Sequence, residues 1–235
     1  MVIMGYKDQP GMIRTACHHG SMLPLVKRVL LVWNSDTETW KGDVKCEGGP
    51  TAKIKVLPQK YNTLLNRWAV WPEVDTEGVL LLDDDILIKD MKNLEQMYGV
   101  WRKHPQQVVG LVGRCPYQTA SGFVYDYRQC EGQISLTNGQ GNMLHRNLMQ
   151  LFMAKQPDAM LEHMYMERPT CEDIALSFVV SNKTGLPPLE DRDVFEEQEI
   201  ERLEMHDGET KEDWLGKRSA CMDKLTRIYG RYPLV

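Results

Sequence analysis

No stretch of this 235-residue chain approaches the ~20 consecutive apolar residues that a bilayer-spanning helix requires. The opening, MVIMGYKDQPG, lacks the charged-then-apolar layout of a secretory signal. The chain as it stands therefore reads as soluble. Because Met1-Val2-Ile3-Met4 looks like the first strand of a fold already under way, any targeting or anchoring segment is expected upstream. Runs of Lys or Arg are also missing and the formal net charge is -5, so a nucleic-acid partner, which needs clustered positive charge, is disfavoured. A compact anionic substrate stays compatible, since a site can be locally basic on an acidic protein. None of the six cysteines, Cys17, Cys46, Cys115, Cys130, Cys171 and Cys221, forms a CxxC pair, which argues against a zinc ribbon or a thioredoxin-like motif. Their even number permits disulfides in an oxidising compartment, and buried free thiols are at least as compatible. The histidines, His18-His19 included, show no HExxH spacing and read as surface or structural groups. Gly139-Gln140-Gly141 has neither a Walker lysine nor the full Rossmann spacing.

What is there is ordinary globular composition, 42% apolar and 26% charged, in a length that suits one large domain with a real core. No internal repeat or linker divides it. Strand-like Val2-Met4, helical Gly11-Leu23 and the apolar run Arg28-Trp33 set a βαβ rhythm. Lys53-Leu57 is a third strand, Asn62-Trp68 a turn or short helix, and Gly78-Leu82 a fourth strand. These strands are continuously apolar, which indicates a sheet covered on both faces. Leu94-His104 reads as a helix and Val108-Val112 as another strand. Gly113-Gln140, rich in Gly, Tyr and polar residues, suits loops and short strands around a pocket. Asn147-Ala154, Asp158-Tyr165 and Glu172-Val180 look helical, the last amphipathic through Ile174, Ala175, Phe178 and Val179. Glu190-Glu212 is acidic and reads as a surface loop or solvated helix, and Trp214 to Val235 as a C-terminal helix packing back.

The run Leu80-Leu81-Leu82-Asp83-Asp84-Asp85-Ile86 puts three carboxylates at the end of a buried strand, where open α/β sheets bind ligands. Adjacent anions repel, so the cluster makes sense if a divalent cation neutralises it. Oxygen ligands suit Mg²⁺ or Mn²⁺. An isolated pair of aspartates would more often be a turn or a helix cap. Here Val79-Leu82 precedes and Ile86-Leu87-Ile88 follows, so the acids interrupt a buried element. In an extended chain Asp83 and Asp85 would converge while Asp84 points elsewhere.

A second acidic pair, Glu172-Asp173, opens the helix after Cys171. These acids could do no more than complement the helix dipole. Held on a rigid element, one of them could instead orient an acceptor or stabilise positive charge at an anomeric carbon. A departing diphosphate needs cations, and Arg67, Arg114 and Arg218 are the candidates.

With these residues in hand the chain resembles the exostosin-type glycosyltransferases, family 64, over nearly its whole length. The landmarks are Val2-Ile3-Met4, Val32-Trp33-Asn34, Asn62 with Asn66-Arg67, Leu82-Asp83-Asp84-Asp85, Val100-Trp101-Arg102, Val109-Gly110, Cys171-Glu172-Asp173-Ile174-Ala175, and Arg218-Ser219-Ala220-Cys221 before Lys224-Leu225 and Ile228-Tyr229. The resemblance implies an α/β fold of the GT-A, Rossmann-like nucleotide-diphospho-sugar transferase type: a mixed central sheet with helices on both faces. It implies one domain over 1–235, with 1–112 binding the nucleotide sugar and 113–235 the acceptor. The activity implied is retaining, Mn²⁺-dependent transfer (Mg²⁺ as the alternative) of a sugar, N-acetylhexosamine by preference, from a UDP-sugar to a glycan or glycolipid in α linkage. Asn34, Asn62, Arg67, Asp83, Asp84 and Glu172 would contact the donor, Asp85 would bind the metal, and Asp173 and Arg218 would be the catalytic pair. Cys171 and Cys221 would form the family's disulfide, tying the helix carrying Asp173 to the segment carrying Arg218. The resemblance also implies a Golgi or endoplasmic-reticulum lumen, a membrane only through a segment absent from this chain, and a possible homodimer. Asp8-Gln9 stands where the family usually has Asn-Arg, and Thr170 where it has Asn. These departures leave a second reading open, a catalytically impaired lectin-like or scaffold domain of the same fold. Acidic clusters at strand ends are also compatible with a metal-dependent phosphohydrolase or nucleotidyltransferase. Same-face attack and a covalent intermediate on Asp173 both remain compatible with retention.

Overall fold

A computed structural model describes residues 1–48, 52–127, 130–154, 157–166, 171–191 and 210–234. Thr170 and residues 192–209 of the acidic segment therefore lie outside the described residues. Four strands appear where the apolar runs predict them: β1 (Val2–Gly5), β2 (Arg28–Trp33), β3 (Lys53–Pro58) and β4 (Gly78–Asp83). They alternate with α1 (Gln9–Gly20), the single-turn α2 (Asn66–Ala69) and α3 (Met91–Lys103). Asp8 caps α1 by accepting from the Gly11 N–H, with Pro10 in the first turn, so the helix starts and ends earlier than the sequence predicts.

The second half adds β5 (Val109–Gly110), β6 (Gly113–Arg114), β7 (Tyr117–Thr119), β8 (Gly122–Val124), β9 (Leu136–Thr137) and β10 (Gly141–His145). Then follow α4 (Arg146–Ala154), α5 (Asp158–Met166), α6 (Glu172–Thr184), β11 (Leu189–Glu190) and α7 (Lys211–Tyr229). The main sheet has seven strands in the order β11-β5-β10-β4-β1-β2-β3. It is mostly parallel, with β10 antiparallel between β4 and β5. Two corrections arise here. Val108–Val112 is not one strand: after Gly110 the chain leaves the main sheet and β6 pairs with β9 instead. Gly110 cannot carry a side chain, because a Cβ there would collide with Thr137. And β10, in the middle of the sheet, has no apolar run announcing it; the buried Asn142 donates its amide to Asn138 O, 2.9 Å, which satisfies the nitrogen but not the oxygen of a polar side chain inside the sheet.

Alternation along the strands supplies two core layers. Val2, Met4, Leu30, Val32, Val79 and Leu81 pack with Trp68, Phe152 and Phe178 on one face. Ile3, Val29, Leu31, Trp33, Leu80 and Leu82 pack with Met12, Leu94, Met97 and Trp101 on the other. The predicted mixed sheet with helices on both faces is the fold observed. Helix α6 corrects a further expectation: it is buried all round from Glu172 to Ser181 rather than amphipathic, because it lies among α4, β9 and α7. All six cysteines are paired, as Cys17–Cys46, Cys115–Cys130 and Cys171–Cys221, so none is a free thiol. Among the described residues no helix is long and apolar enough to cross a membrane.

Candidate active site

The C-terminal ends of β1, β2 and β4 lie side by side, with Gly5 beside Trp33 and Met4 beside Asp83. Strand β4 ends at Asp83, and Asp84 and Asp85 form a turn closed by the Ile86 N–H donating to Asp83 O, 3.3 Å. Strand alternation therefore stops at Asp83, and the turn sets where the next two carboxylates go. Asp83 is ion-paired with Arg67. Asp84 packs into the space a side chain on Gly5 would fill, beside Met12. Asp85 is exposed. Burial first, then Asp83 and Asp85, push the Asp84 carboxyl up to about 7. Burial and Asp83 likewise raise Asp85.

Helix α1 anchors this turn. Thr15 Oγ1 donates to Asp84 O at 2.5 Å. His18 Nε2 lies 2.6 Å from Ile88 O, and the Ile88 N–H donates to His19 Nε2 at 3.0 Å. Burial lowers His19 to about 4, so the ring is neutral, with Nδ1–H facing Thr15 O at 2.9 Å. The paired histidines, which carry no metal-site spacing, thus position the acidic turn.

The donor set is all oxygen, and three adjacent carboxylates share the Arg67 guanidinium, which fits a hard divalent cation. The carboxylates do not close a cage: Asp83 and Asp84 are engaged by protein and Asp85 faces outward. A cation would be held by Asp85 together with oxygens that a ligand brings. Among the described residues, His163, Cys171 and Cys221 also cluster closely enough to ligate a metal, but the two cysteines are bonded to each other.

Asn34, at the end of β2, is 3% exposed and is the centre of a polar knot. Its amide donates to Asn62 Oδ1 at 2.9 Å, and its oxygen accepts from Asn66 Nδ2 at 2.7 Å and Thr63 N at 3.3 Å. Of the two asparagines expected at the donor, Asn34 holds the loop and Asn62 is the half-buried one it presents. Arg67, 2% exposed, joins the two acidic sites. It donates to Asp83 and, at 2.7 Å, to Gly139 O. Burial acts against its charge, and Asp83, Glu172 and Asp173 outweigh burial and raise its pKa.

Glu172 and Asp173, both buried, open α6 beside Gly139; a Cβ on Gly139 would sit 3.0 Å from Glu172 Oε1 and 3.5 Å from Arg67 Nη1. Arg218 donates to Asp173 Oδ2 at 2.6 Å. Its guanidinium lies 4.4 Å from the Tyr125 ring centre and 5.5 Å from that of Trp214, an aromatic bracket around a buried cation. Burial opposes the Arg218 charge too, and Asp173, Tyr125 and Glu172 hold its pKa above the ordinary value.

Burial, then the neighbouring Asp173, push Glu172 up from 4.5 to about 7. A carboxyl whose folded pKa is raised favours the fold below its unfolded pKa and loses that contribution as pH rises through the folded value. Glu172→Gln has no proton to lose. It should therefore gain on the wild type between pH 4.5 and 7, by ~3 kcal/mol at pH 8 relative to the difference at pH 4. Denaturation of both proteins across this range checks it; a stability difference that does not move with pH would contradict the shift.

One part of the site is missed by sequence reasoning. Phe123 in β8 and Tyr125 and Tyr127 just beyond it stand at alternate positions. Phe123 stacks on Tyr232, ring centres 4.3 Å apart, Tyr125 lies under Arg218, and Tyr127 lies 5.1 Å from both the Arg114 guanidinium and the Lys211 ammonium. Arg114, a candidate diphosphate group by sequence, is thus engaged with this aromatic row. The signal was the period-two run of aromatics, obscured by a Gly- and polar-rich background.

A cavity of about 430 Å³ lies at the opposite ends of β1, β2 and β4, lined by Leu25, Arg28, Asp75, Gly78 and Trp101 among others. Arg28 and Asp75 pair across its rim at 2.9 Å, and it is remote from the acidic turn.

The sequence is 30% identical over 252 residues to "Exostosin-like 2" of Mus musculus, covering 99% of this chain and 73% of that protein. It is 28% identical over 220 residues to "Exostosin-2" of Homo sapiens, covering 91% of this chain and 30% of the relative. It is also 29% identical over 167 residues to "Glucosamine inositolphosphorylceramide transferase 1" of Arabidopsis thaliana, 70% of this chain and 21% of the relative. The model of the glycosyl transferase family 64 domain matches residues 1–235. With the acidic turn, the Asp173–Arg218 pair and this match along its full length, the chain belongs to glycosyl transferase family 64 and is a glycosyltransferase domain.

Proposed function

We propose that this domain moves a sugar, N-acetylhexosamine by preference, from a UDP-sugar to a glycan or glycolipid acceptor with retention, forming an α linkage. The observation that carries the reading is the buried Asp173–Arg218 pair, coupled through Glu172 and Arg67 to the aspartates at the end of β4. A scaffold that had lost turnover would have no need to keep the buried Asp173–Arg218 pair and the buried guanidinium of Arg67, which are costly to desolvate.

In this reading Asp83 and Asp84 contact the nucleoside sugar, Asn62 and the knot around Asn34 line the donor, and Arg67 holds Asp83 in place. Mn²⁺ or Mg²⁺, held by Asp85, would supply Lewis acidity to the diphosphate. Arg218 stabilises the charge that develops on the leaving UDP, and the rigid bracket of Tyr125 and Trp214 spares it reorganisation. Asp173, fixed by Arg218 and by the Ile174 N–H at 2.7 Å, faces the anomeric carbon or the acceptor hydroxyl. Glu172 sits beside it at the donor sugar. Tyr127 with Arg114 and Lys211 forms the acceptor wall, backed by the buried Tyr125 and Phe123, a surface suited to a sugar ring bearing negative charge. Three disulfides suit an oxidising compartment, in keeping with a Golgi or endoplasmic-reticulum lumen.

The test is release of UDP from a panel of UDP-sugars with and without Mn²⁺. Asp85→Ala or a chelator is expected to lower release by roughly 10²-fold or more. Turnover insensitive to both would sink the metal-dependent reading.

A further inference from the structure

Among the described residues strand β8 pairs with β7 alone, in a two-stranded ribbon with Gln118 opposite Phe123. An edge strand leaves alternate N–H groups without a ladder partner. Here two side chains of α7 take them. The Phe123 N–H donates to Asp223 Oδ1 at 3.0 Å, and the Tyr125 N–H donates to Ser219 Oγ at 2.9 Å. Ser219 Oγ in turn donates to Leu215 O, 2.8 Å, so its hydroxyl is used in both directions. Residues 219 and 223 are one helical turn apart on a single face, and 123 and 125 are two apart, one in β8 and one just past its end, so the two spacings match.

The backbone is shaped for this contact. Gly122 has φ +130, and a Cβ there would lie 2.7 Å from Asp223 Oδ2. A side chain at 122 would therefore both strain the backbone and displace the carboxylate. The same helix that grips β8 carries Arg218, one residue before Ser219. It also carries Cys221, bonded to Cys171 at the start of α6. Gripping β8 is what brings Tyr125 under Arg218 and Tyr127 between Arg114 and Lys211.

We infer that Ser219 and Asp223 are positioning residues that set the acceptor wall by docking β8 on α7, leaving the donor side to be held separately through α1. This rests on the proposed transfer reaction. The donor elements, the Asp83–Asp85 turn and the knot around Asn34, take their bonds from Thr15, His18, His19, Asn62 and Asn66, none of them on α7 or β8. Loosening β8 should therefore weaken acceptor recognition more than donor hydrolysis.

The experiment compares Ser219→Ala, Ser219→Thr, Asp223→Ala and Asp223→Asn with the wild type in two assays: UDP release without acceptor, and transfer to the acceptor the wild type uses. Hydrogen exchange at 122–127 is followed alongside. Ser219→Ala and Asp223→Ala are expected to raise acceptor KM about 10-fold, to slow acceptor-free UDP release by no more than about 3-fold because Tyr125 also brackets Arg218, and to speed exchange at 122–127 but not at 78–88. Ser219→Thr and Asp223→Asn, which keep an acceptor oxygen, should restore most of the KM. Equal losses in both assays, an unchanged KM, or no rescue by the conservative variants would each overturn the inference. If the wild type releases no UDP from any donor, the reaction reading fails instead. Exchange alone then judges the docking, and unchanged exchange at 122–127 in Ser219→Ala would refute it.

Discussion

Arg218→Met is expected to lower transfer by at least about 10²-fold and to destabilise the fold by about 3–5 kcal/mol. Two effects have different origins here. Arg218 is 4% exposed and Asp173 is 3% exposed, so neither charge has much water to fall back on. Deleting the guanidinium leaves a carboxylate buried beside Glu172, which burial and Asp173 already hold at about 7. The stability loss comes from that stranded anion and, in the proposed reaction, the rate loss from a missing cation at the leaving group. A double variant separates them. Asp173→Asn with Arg218→Met removes both charges at nearly constant volume and should recover much of the stability, while transfer stays lost. Denaturant midpoints and UDP release on the four proteins form the cycle. Turnover near wild type in the single variant would remove Arg218 from the mechanism. A double variant as unstable as the worse single would show that the charges were not what mattered to the fold.

Removing the Cys171–Cys221 bond is the second large effect. The bonded residues are 50 apart in sequence, and closing a loop of that size is worth ~4 kcal/mol in the chain-entropy description. Cys171 is the N-cap of α6, one residue before Glu172 and two before Asp173, and Cys221 lies less than one turn beyond Arg218 on α7. Cys171→Ala with Cys221→Ala should therefore lose stability and also rate, because a misplacement of ~1 Å between two catalytic elements is felt strongly. Measured well below its melting temperature, the variant is expected to release UDP at least about 10-fold more slowly, with donor binding less affected. If the rate at that temperature were unchanged, the bond would be a staple for the fold only, and α6 and α7 would hold their alignment through packing.

Parts of this architecture are legible in single segments. Arg28–Trp33 and Gly78–Leu82 are apolar at every position after the first, and a strand with that pattern must be covered on both faces. The acidic turn is legible because it breaks such a run. Strand β10 is not, since GNMLH carries Gly, Asn and His, and its burial depends on a bond from Asn142 to a residue outside the strand. The break after Gly110 is hidden for the same reason: what forbids a side chain there is Thr137, which is distant in sequence. His18 and His19 offer no motif, and their role comes from Ile88, which the fold brings alongside α1.

Composition, apolar patterning and the ordered landmarks of the chain by themselves determined the layered α/β class, the place of the three aspartates and the family. Those properties are written within stretches a few residues long, where burial and spacing act locally. Tertiary structure alone decided which charge meets which. Whether Asp83 faces Arg67 or a solvent ion, whether Arg114 belongs to a diphosphate or to Tyr127, and how α7 grips β8 all depend on contacts between residues 13 to 100 positions apart. Coulomb and hydrogen-bond energies fall off over a few ångströms of space, so separation along the chain carries no information about them until the chain is folded.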